Sequence, residues 1–148
     1  MSRPVFIETA LNSPWSQRRQ PLMPVTTDVL IAEGIDYARA GASVIHFHVY
    51  DPDTGQQFEN FDAYKAVTEG IREYADVIVY PTLPLSGFSK TYQTFTAKAR
   101  FKTIKKLAKA GLLEWSVIDL GTTQITELDP TNSEQVQFLY INSEAEIR

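Results

Sequence analysis

Cysteine is absent from the 148 residues. That excludes a disulfide framework, a thiolate metal site and a thiol nucleophile. No apolar run approaches the roughly 20 residues that a membrane helix requires. No G-x-G-x-x-G or P-loop sequence occurs, so dinucleotide and nucleotide phosphate sites have no support. Basic charge is in deficit: 14 Lys and Arg stand against 18 Asp and Glu, a net charge of −4. The balance argues against nucleic-acid and anionic-membrane partners. Met1–Ala10 leads into polar and proline residues rather than a long apolar segment with a cleavage site. No signal peptide is expected, and a cytoplasmic protein is the default.

What remains is ordinary for a soluble globular chain: 43% hydrophobic and 22% charged residues, with length for one domain and a real core. Histidine is scarce, and both copies fall in one stretch, Ser43–Asp51, reading S-V-I-H-F-H-V-Y-D. In a strand, alternate side chains point to opposite faces. Ile45, Phe47 and Val49 then form one apolar face. Val44, His46, His48 and Tyr50 form the other. Two imidazoles on one side of one strand can converge on a metal ion, and neutral imidazole suits zinc and related metals. A pair of hydrogen-bonded interior histidines is the plain alternative.

Pro4–Leu11 reads as a first strand, apolar on both faces except for Glu8, as in a buried parallel sheet. Asn12–Pro24 is a long loop. Thr26 or Thr27 can cap a helix that runs to about Ala40, with Asp28 in its first turn and Gly41 as its stop. Its apolar stripe is Leu30, Ile31, Gly34, Ile35 and Ala38. After the histidine strand, Asp51-Pro-Asp-Thr-Gly55 is turn chemistry. Phe61–Tyr74 is a second amphipathic helix with Tyr64, Val67 and Ile71 buried. Val77–Thr82 is a third strand, and Pro84–Thr94 a second loop. A third helix covers about Phe95–Ala110, and its lysines (98, 102, 105, 106 and 109) read as a solvated face. Trp115–Leu120 is expected as a fourth strand and Thr122–Gln135 as polar loop. Phe138–Ile141 reads as a short strand or extended turn, and Asn142-Ser-Glu-Ala-Glu as a helix cap and first turn.

The alternation implies an α/β fold with parallel pairing and right-handed crossovers. An open doubly wound sheet and part of a (β/α)8 TIM barrel both satisfy it. A full barrel needs roughly 250 residues. The closing helix cap favours the second reading: residues 1–148 as the N-terminal part of a single (β/α)8 barrel domain, with about its first four β/α units.

In either closure, ligands gather at the C-terminal ends of the strands. The polar residues expected there are Glu8, Thr9 and Asn12, then His46, His48 and Asp51, then Tyr80, Thr82 and Ser86, and last Asp119 and Thr122. Glu8 is either metal-linked or paired with an arginine such as Arg18 or Arg19. Asp119 is a site residue or a structural acceptor, and Asp51 a turn former. Thr82 and Ser86 can hold a carboxylate or phosphate through hydroxyls and loop amides, or make ordinary loop hydrogen bonds. Trp15 and Tyr80 either line a pocket or fill space.

T-A-L-N after the first strand, P-V-T before the first helix, A-G-A-S-V-I-H-F-H-V-Y-D-P-D-T-G, and L-L-E-W-S-V-I-D-L-G together resemble the β-keto acid cleavage enzymes. That family is typified by 3-keto-5-aminohexanoate cleavage enzyme. The resemblance implies a metal-dependent (β/α)8 barrel, usually carrying zinc, that condenses a β-keto acid with acetyl-CoA to give acetoacetate and a new acyl-CoA. His46 and His48 would be its metal ligands, Asp119 and Glu8 catalytic residues, and Asn12, Thr82 and Ser86 substrate-binding residues. A further carboxylate ligand would come from a late strand. The chain departs from the family's pattern at four places. Trp15 or its neighbour stands for a loop glutamate, and Tyr50 for an arginine. Pro81-Thr82-Leu83-Pro84 replaces S-T-G-G, and Asp119 replaces an asparagine. A homo-oligomer is expected, since an open sheet edge invites pairing with another chain. The competing reading is a non-catalytic half-barrel that binds a metal or small acid as a homodimer.

Overall fold

A computed structural model describes residues 3–14, 17, 20–83, 97–117, 121–128, 135–142 and 144. The chain forms two compact units, residues 1–82 with 103–116, and residues 83–102 with 117–148. The expected site residues Ser86 and Asp119 lie outside the described residues, as do Trp15, Arg18 and Arg19.

The first unit is built on β1 (Glu8–Ala10), β2 (Val44–Phe47) and β3 (Ile78–Pro81), joined by α1 (Thr27–Arg39) and α2 (Phe61–Arg72). The strands pair in parallel in the order β1-β2-β3. Ala10 is opposite His46, which is opposite Tyr80. The mixed α/β architecture with a parallel sheet is the expected one. Among the described residues the sheet has three strands and does not close.

Local signals mark the start of α2 and the end of α1. Asn60 caps α2 through its side chain, which accepts from the Ala63 amide at 3.0 Å. Thr26 occupies the cap position of α1 without a side-chain bond, and Gly41, at φ 109°, turns the chain out of the helix. The sheet face bearing Ile45, Phe47 and Val79 is buried with Leu30, Tyr64, Val67, Ile71 and Leu107 in one core. Tyr64, Val67 and Ile71 are fully buried, as their helical spacing predicts. A side chain of this kind contributes about 1.5–3 kcal/mol on burial.

Two glycines set the distance between α1 and α2. A Cβ on Gly34 would stand 2.4 Å from Ile71 Cδ1, and one on Gly70 would stand 2.6 Å from Ile31 Cδ1. Each helix therefore receives an isoleucine of the other over a bare backbone.

The first strand differs from expectation. It is shorter, and Val5, Phe6 and Ile7 before it are 83%, 81% and 53% exposed. The strand is the outermost of the sheet, so no described neighbour covers its far side. Ile7 still joins the ladder, its carbonyl accepting from Ser43 N at 2.8 Å.

Downstream, the third helix is divided into α3 (Ala97–Arg100) and α4 (Lys102–Lys109). All five of its lysines are exposed. Among described residues of the expected fourth strand, Trp115, Ser116 and Val117 are not in a strand. The second unit instead pairs β4 (Thr123–Leu128) antiparallel with β5 (Gln135–Tyr140), where polar loop was expected for the first of these. Gln124 Nε2 donates to Gln137 Oε1 at 3.1 Å across the pair. Asn142 closes this unit by donating from Nδ2 to the Gly121 carbonyl at 3.0 Å. Among the described residues no helix is long and apolar enough to cross a membrane.

One half-buried carboxylate makes the fold sensitive to pH. Burial pushes Glu59 up to about 7 from an ordinary 4.5, and the hydroxyls of Thr103 and Tyr64 only partly oppose this. Its Oε1 is buried without a hydrogen-bond partner. In the unfolded chain Glu59 ionises at its ordinary value, whereas the folded chain holds the proton until about 7. Stability from this group is therefore full below about 4.5 and declines as pH rises through about 7. The substitution Glu59→Gln is expected to match wild type at pH 4 and to exceed it by about 3 kcal/mol at pH 8. Urea midpoints across that range check this; parallel profiles for the two proteins would contradict it.

Candidate functional site

The face of the sheet opposite the helices carries Glu8 and Ala10, Val44 and His46, and Ile78 and Tyr80 in register. His46 is the third residue of β2, and His48 follows the last. Their rings are 5.1 Å apart between centroids and nearly perpendicular, at 79°. The two imidazoles thus come together at the C-terminal end of the central strand. His46 is half-buried and His48 is 4% exposed.

Why the chain holds His48 there is visible in its hydrogen bonds. β1 stops at Ala10, and the ladder is continued by the Asn12 side chain. Asn12 Oδ1 accepts from the His48 amide at 2.7 Å, and Nδ2 donates to the His48 carbonyl at 2.9 Å and to the Pro24 carbonyl at 2.9 Å. A carboxamide offers one acceptor and two donors in nearly the geometry of a peptide group, so it serves as one more residue of β1. Both backbone groups of His48 are engaged in this way. On its ring, Nδ1 lies 3.2 Å from Gln57 Oε1. Burial, with the neighbouring His46 second, pushes the His48 imidazole down to about 3 from 6.5; the bond to Gln57 acts against this. His48 is therefore neutral at physiological pH, as a metal ligand must be.

Around the pair the polar and aromatic groups are continuous. The Tyr80 ring is 4.6 Å from that of His46, and its hydroxyl donates to Glu8 Oε1. Trp115 lies 6.2 Å beyond Tyr80 and is half-exposed. Glu8 was expected in a buried strand; it is exposed, because it lies on the sheet face without helical cover, and the partner it shows is a phenol. Tyr50 donates to the Ser13 carbonyl, and burial pushes its phenol up. Thr82 is buried after β3, with its amide donating to Phe47 O at 3.0 Å. Asp51 does the work of a turn: Oδ1 accepts from Asp53 N at 2.9 Å and Thr54 N at 3.0 Å. Bonds from Thr54 and then Asp53 hold its carboxyl below the usual range.

A cleft of about 830 Å³ opens at the other end of the sheet, lined by Phe6, Ser43, Tyr74 and Ile78 among others. It contains neither histidine and lies by the N-terminal strand ends, where parallel sheets seldom place chemistry.

The donor set suits a divalent ion as far as it goes. The two imidazoles are adjacent, and one has its remote nitrogen already bonded. No third His, Asp or Glu joins them in a metal-holding group among the described residues. Sequence reasoning reached His46, His48, Glu8 and Tyr80. It missed the place of Gln57 and of Trp115. The Asp-Pro-Asp-Thr-Gly turn was the available signal for Gln57, since a tight turn shortly after a strand returns the chain alongside it.

The family described as beta-keto acid cleavage enzyme matches residues 4–148. The 3-dehydrocarnitine:acetyl-CoA trimethylamine transferase of Rhizobium meliloti (strain 1021) is 36% identical over 89 residues. That alignment covers 59% of this chain and 30% of the relative.

Proposed function

This chain belongs to the beta-keto acid cleavage enzyme family, and we propose that its histidine pair is part of a metal-dependent site for cleaving a β-keto acid against acetyl-CoA. The observation that carries the proposal is the T-shaped contact of His46 and His48 at the strand end. In this reading residues 1–148 are the N-terminal part of a single (β/α)8 barrel, and β1, β2 and β3 are its first three strands. Acetyl-CoA also stands in the name of the relative from Rhizobium meliloti, which supports it as the acyl donor.

The reaction balances without a further reactant. The acetyl carbonyl carbon bonds to C2 of the β-keto acid, the bond from C2 to the original acyl carbon breaks, and coenzyme A takes that acyl group. Acetoacetate and a new acyl-CoA result. His46 and His48 would hold a divalent metal, zinc in our reading, which supplies Lewis-acid polarisation of the keto group when bound. Glu8 and Asp119 are the proposed catalytic residues. The Glu8 carboxylate stands at the start of β1 and reaches the site through its bond from the Tyr80 hydroxyl, where it can hold or take a proton. Thr82 and Ser86 would receive the substrate carboxylate, and Asn12 would serve the substrate from the strand end it fixes. A cytoplasmic homo-oligomer completes the proposal.

A second reading, a half-barrel that pairs with its own copy to bind a metal or small acid, is favoured by one observation. Val5, Phe6 and Ile7 leave an apolar stretch uncovered beside the outer strand. Elemental analysis of protein purified without chelators, together with mass spectrometric detection of acyl-CoA from β-keto acids and acetyl-CoA, tests both. Bound zinc with acyl-CoA formation is the expected result. A metal-bound dimer without turnover would favour the second reading, and a metal-free monomer without turnover would overturn both.

A further inference from the structure

We infer that Gln57 is a positioning residue that fixes the ring of His48, presenting Nε2 as its lone-pair nitrogen. The inference rests on the metal site proposed above and adds a member to it. Gln57 Oε1 can only accept a hydrogen bond. At 3.2 Å from His48 Nδ1, it requires the proton on that nitrogen. The other ring nitrogen, Nε2, is then the one that can ligate.

Gln57 is not beside the ring by chance of a loose loop. After β2 the chain turns through Asp51–Gly55, where Asp51 Oδ1 gathers the amides of Asp53 and Thr54 at 2.9 and 3.0 Å. Gly55 takes φ 64°, a left-handed conformation that glycine enters without strain. Its amide donates to the Asp51 carbonyl at 2.8 Å. The returning strand is then tied twice, Asp51 N to Gln56 O at 2.9 Å and Phe58 N to Val49 O at 3.2 Å. Between those ties Gln57 forms an antiparallel bridge with Tyr50. His48 is thus held from two directions: its backbone by Asn12 and its ring by Gln57. The D-P-D-T-G turn acquires a purpose, which is to bring the acceptor back to the histidine.

Partners of this kind orient a ligating imidazole and raise its basicity, and their loss typically costs about 10–100-fold in metal affinity. The test compares wild type with Gln57→Leu, which keeps the bulk and removes the acceptor, and with Gln57→Glu, which keeps an acceptor. Long-range ¹H–¹⁵N spectra of the metal-free proteins report the tautomer. The two ring systems are assigned by the loss of one in His46→Gln. Zinc alone is then titrated against a chromophoric chelator.

Wild type and Gln57→Glu are expected to show His48 protonated at Nδ1, and Gln57→Leu a mixture of tautomers. Zinc Kd is expected to rise about 10–100-fold in Gln57→Leu and to stay within a few-fold in Gln57→Glu. An Nε2–H tautomer in wild type, or an unchanged His48 spectrum in Gln57→Leu, would overturn the inference even if zinc binds well. Absence of zinc binding by wild type would instead overturn the metal reading, and the tautomer spectra would still decide the role of Gln57. If Gln57→Leu fails to fold, the wild-type and Gln57→Glu spectra decide: Nδ1–H at His48 in both supports the inference, and Nε2–H in wild type overturns it.

Discussion

Replacing both imidazoles, His46→Ala with His48→Ala, is expected to reduce bound zinc to background and acyl-CoA formation by more than about 100-fold. Two ligands on one strand end act as a unit. Each single substitution should therefore cost nearly as much as the pair, since losses within one functional unit do not add. The effect on folding should be far smaller for His46→Ala than for His48→Ala. His46 is half-buried, whereas His48 is 4% exposed and packed between Asn12 and Gln57. Zinc content and turnover, measured beside the urea midpoint of each variant, separate lost ligation from lost structure. Metal and activity retained in the double variant would remove the ligand assignment altogether.

The second large effect belongs to Asn12. Its side chain satisfies the amide and the carbonyl of His48 and the carbonyl of Pro24. Asn12→Leu keeps similar bulk and leaves those groups unpaired in a buried place. An unsatisfied buried group costs about 1–3 kcal/mol, and the combined loss should be roughly 3–5 kcal/mol. A typical domain has only about 5–15 kcal/mol in total. Asn12→Asp offers a sharper test. One oxygen can still accept from His48 N, but the other would face two carbonyl oxygens. It can bond only as a protonated acid, and its single proton then serves just one of the two carbonyls. The folded variant would therefore raise the carboxyl's pKa, so its stability should approach wild type in acid and fall as pH rises. Chemical unfolding at pH 4 and pH 8 checks this. An Asn12→Leu midpoint equal to that of wild type would show that the side chain does not extend the ladder.

Much of the first unit was legible in the sequence. Period-3.6 burial marks α1 and α2 because their stripes are unbroken, and Thr26 and Gly41 punctuate α1 where propensity says they should, whereas the Asn60 cap of α2 went unread. The short apolar runs of β2 and β3 were legible for the same reason. The family was legible too, since T-A-L-N and the H-F-H stretch sit at recognisable spacing and the match to residues 4–148 agrees. What escaped the sequence has two physical origins. Asn12 and His48 are 36 positions apart, and nothing in local composition reveals a side chain that stands in for backbone. Thr123–Leu128 reads T-Q-I-T-E-L, four polar residues with two apolar ones three places apart, so no period-2 alternation marks it as a strand, and its antiparallel pairing with Gln135–Tyr140 is set by a partner that local composition does not reveal. At Trp115 the reverse holds: the apolar run suggests the start of a strand, and Trp115 sits beside Tyr80 without strand pairing among the described residues.

The paired bare-backbone contacts between α1 and α2 carry a consequence for inheritance. Positions 31, 34, 70 and 71 share two small volumes, so none can drift alone. A methyl gained at Gly34 demands one surrendered at Ile71, and the same exchange binds Gly70 to Ile31. Length is bound as tightly as volume: deleting one residue between Ile31 and Gly34 would swing one partner roughly 100° around its helix relative to the other, and no single compensating substitution could restore both fits.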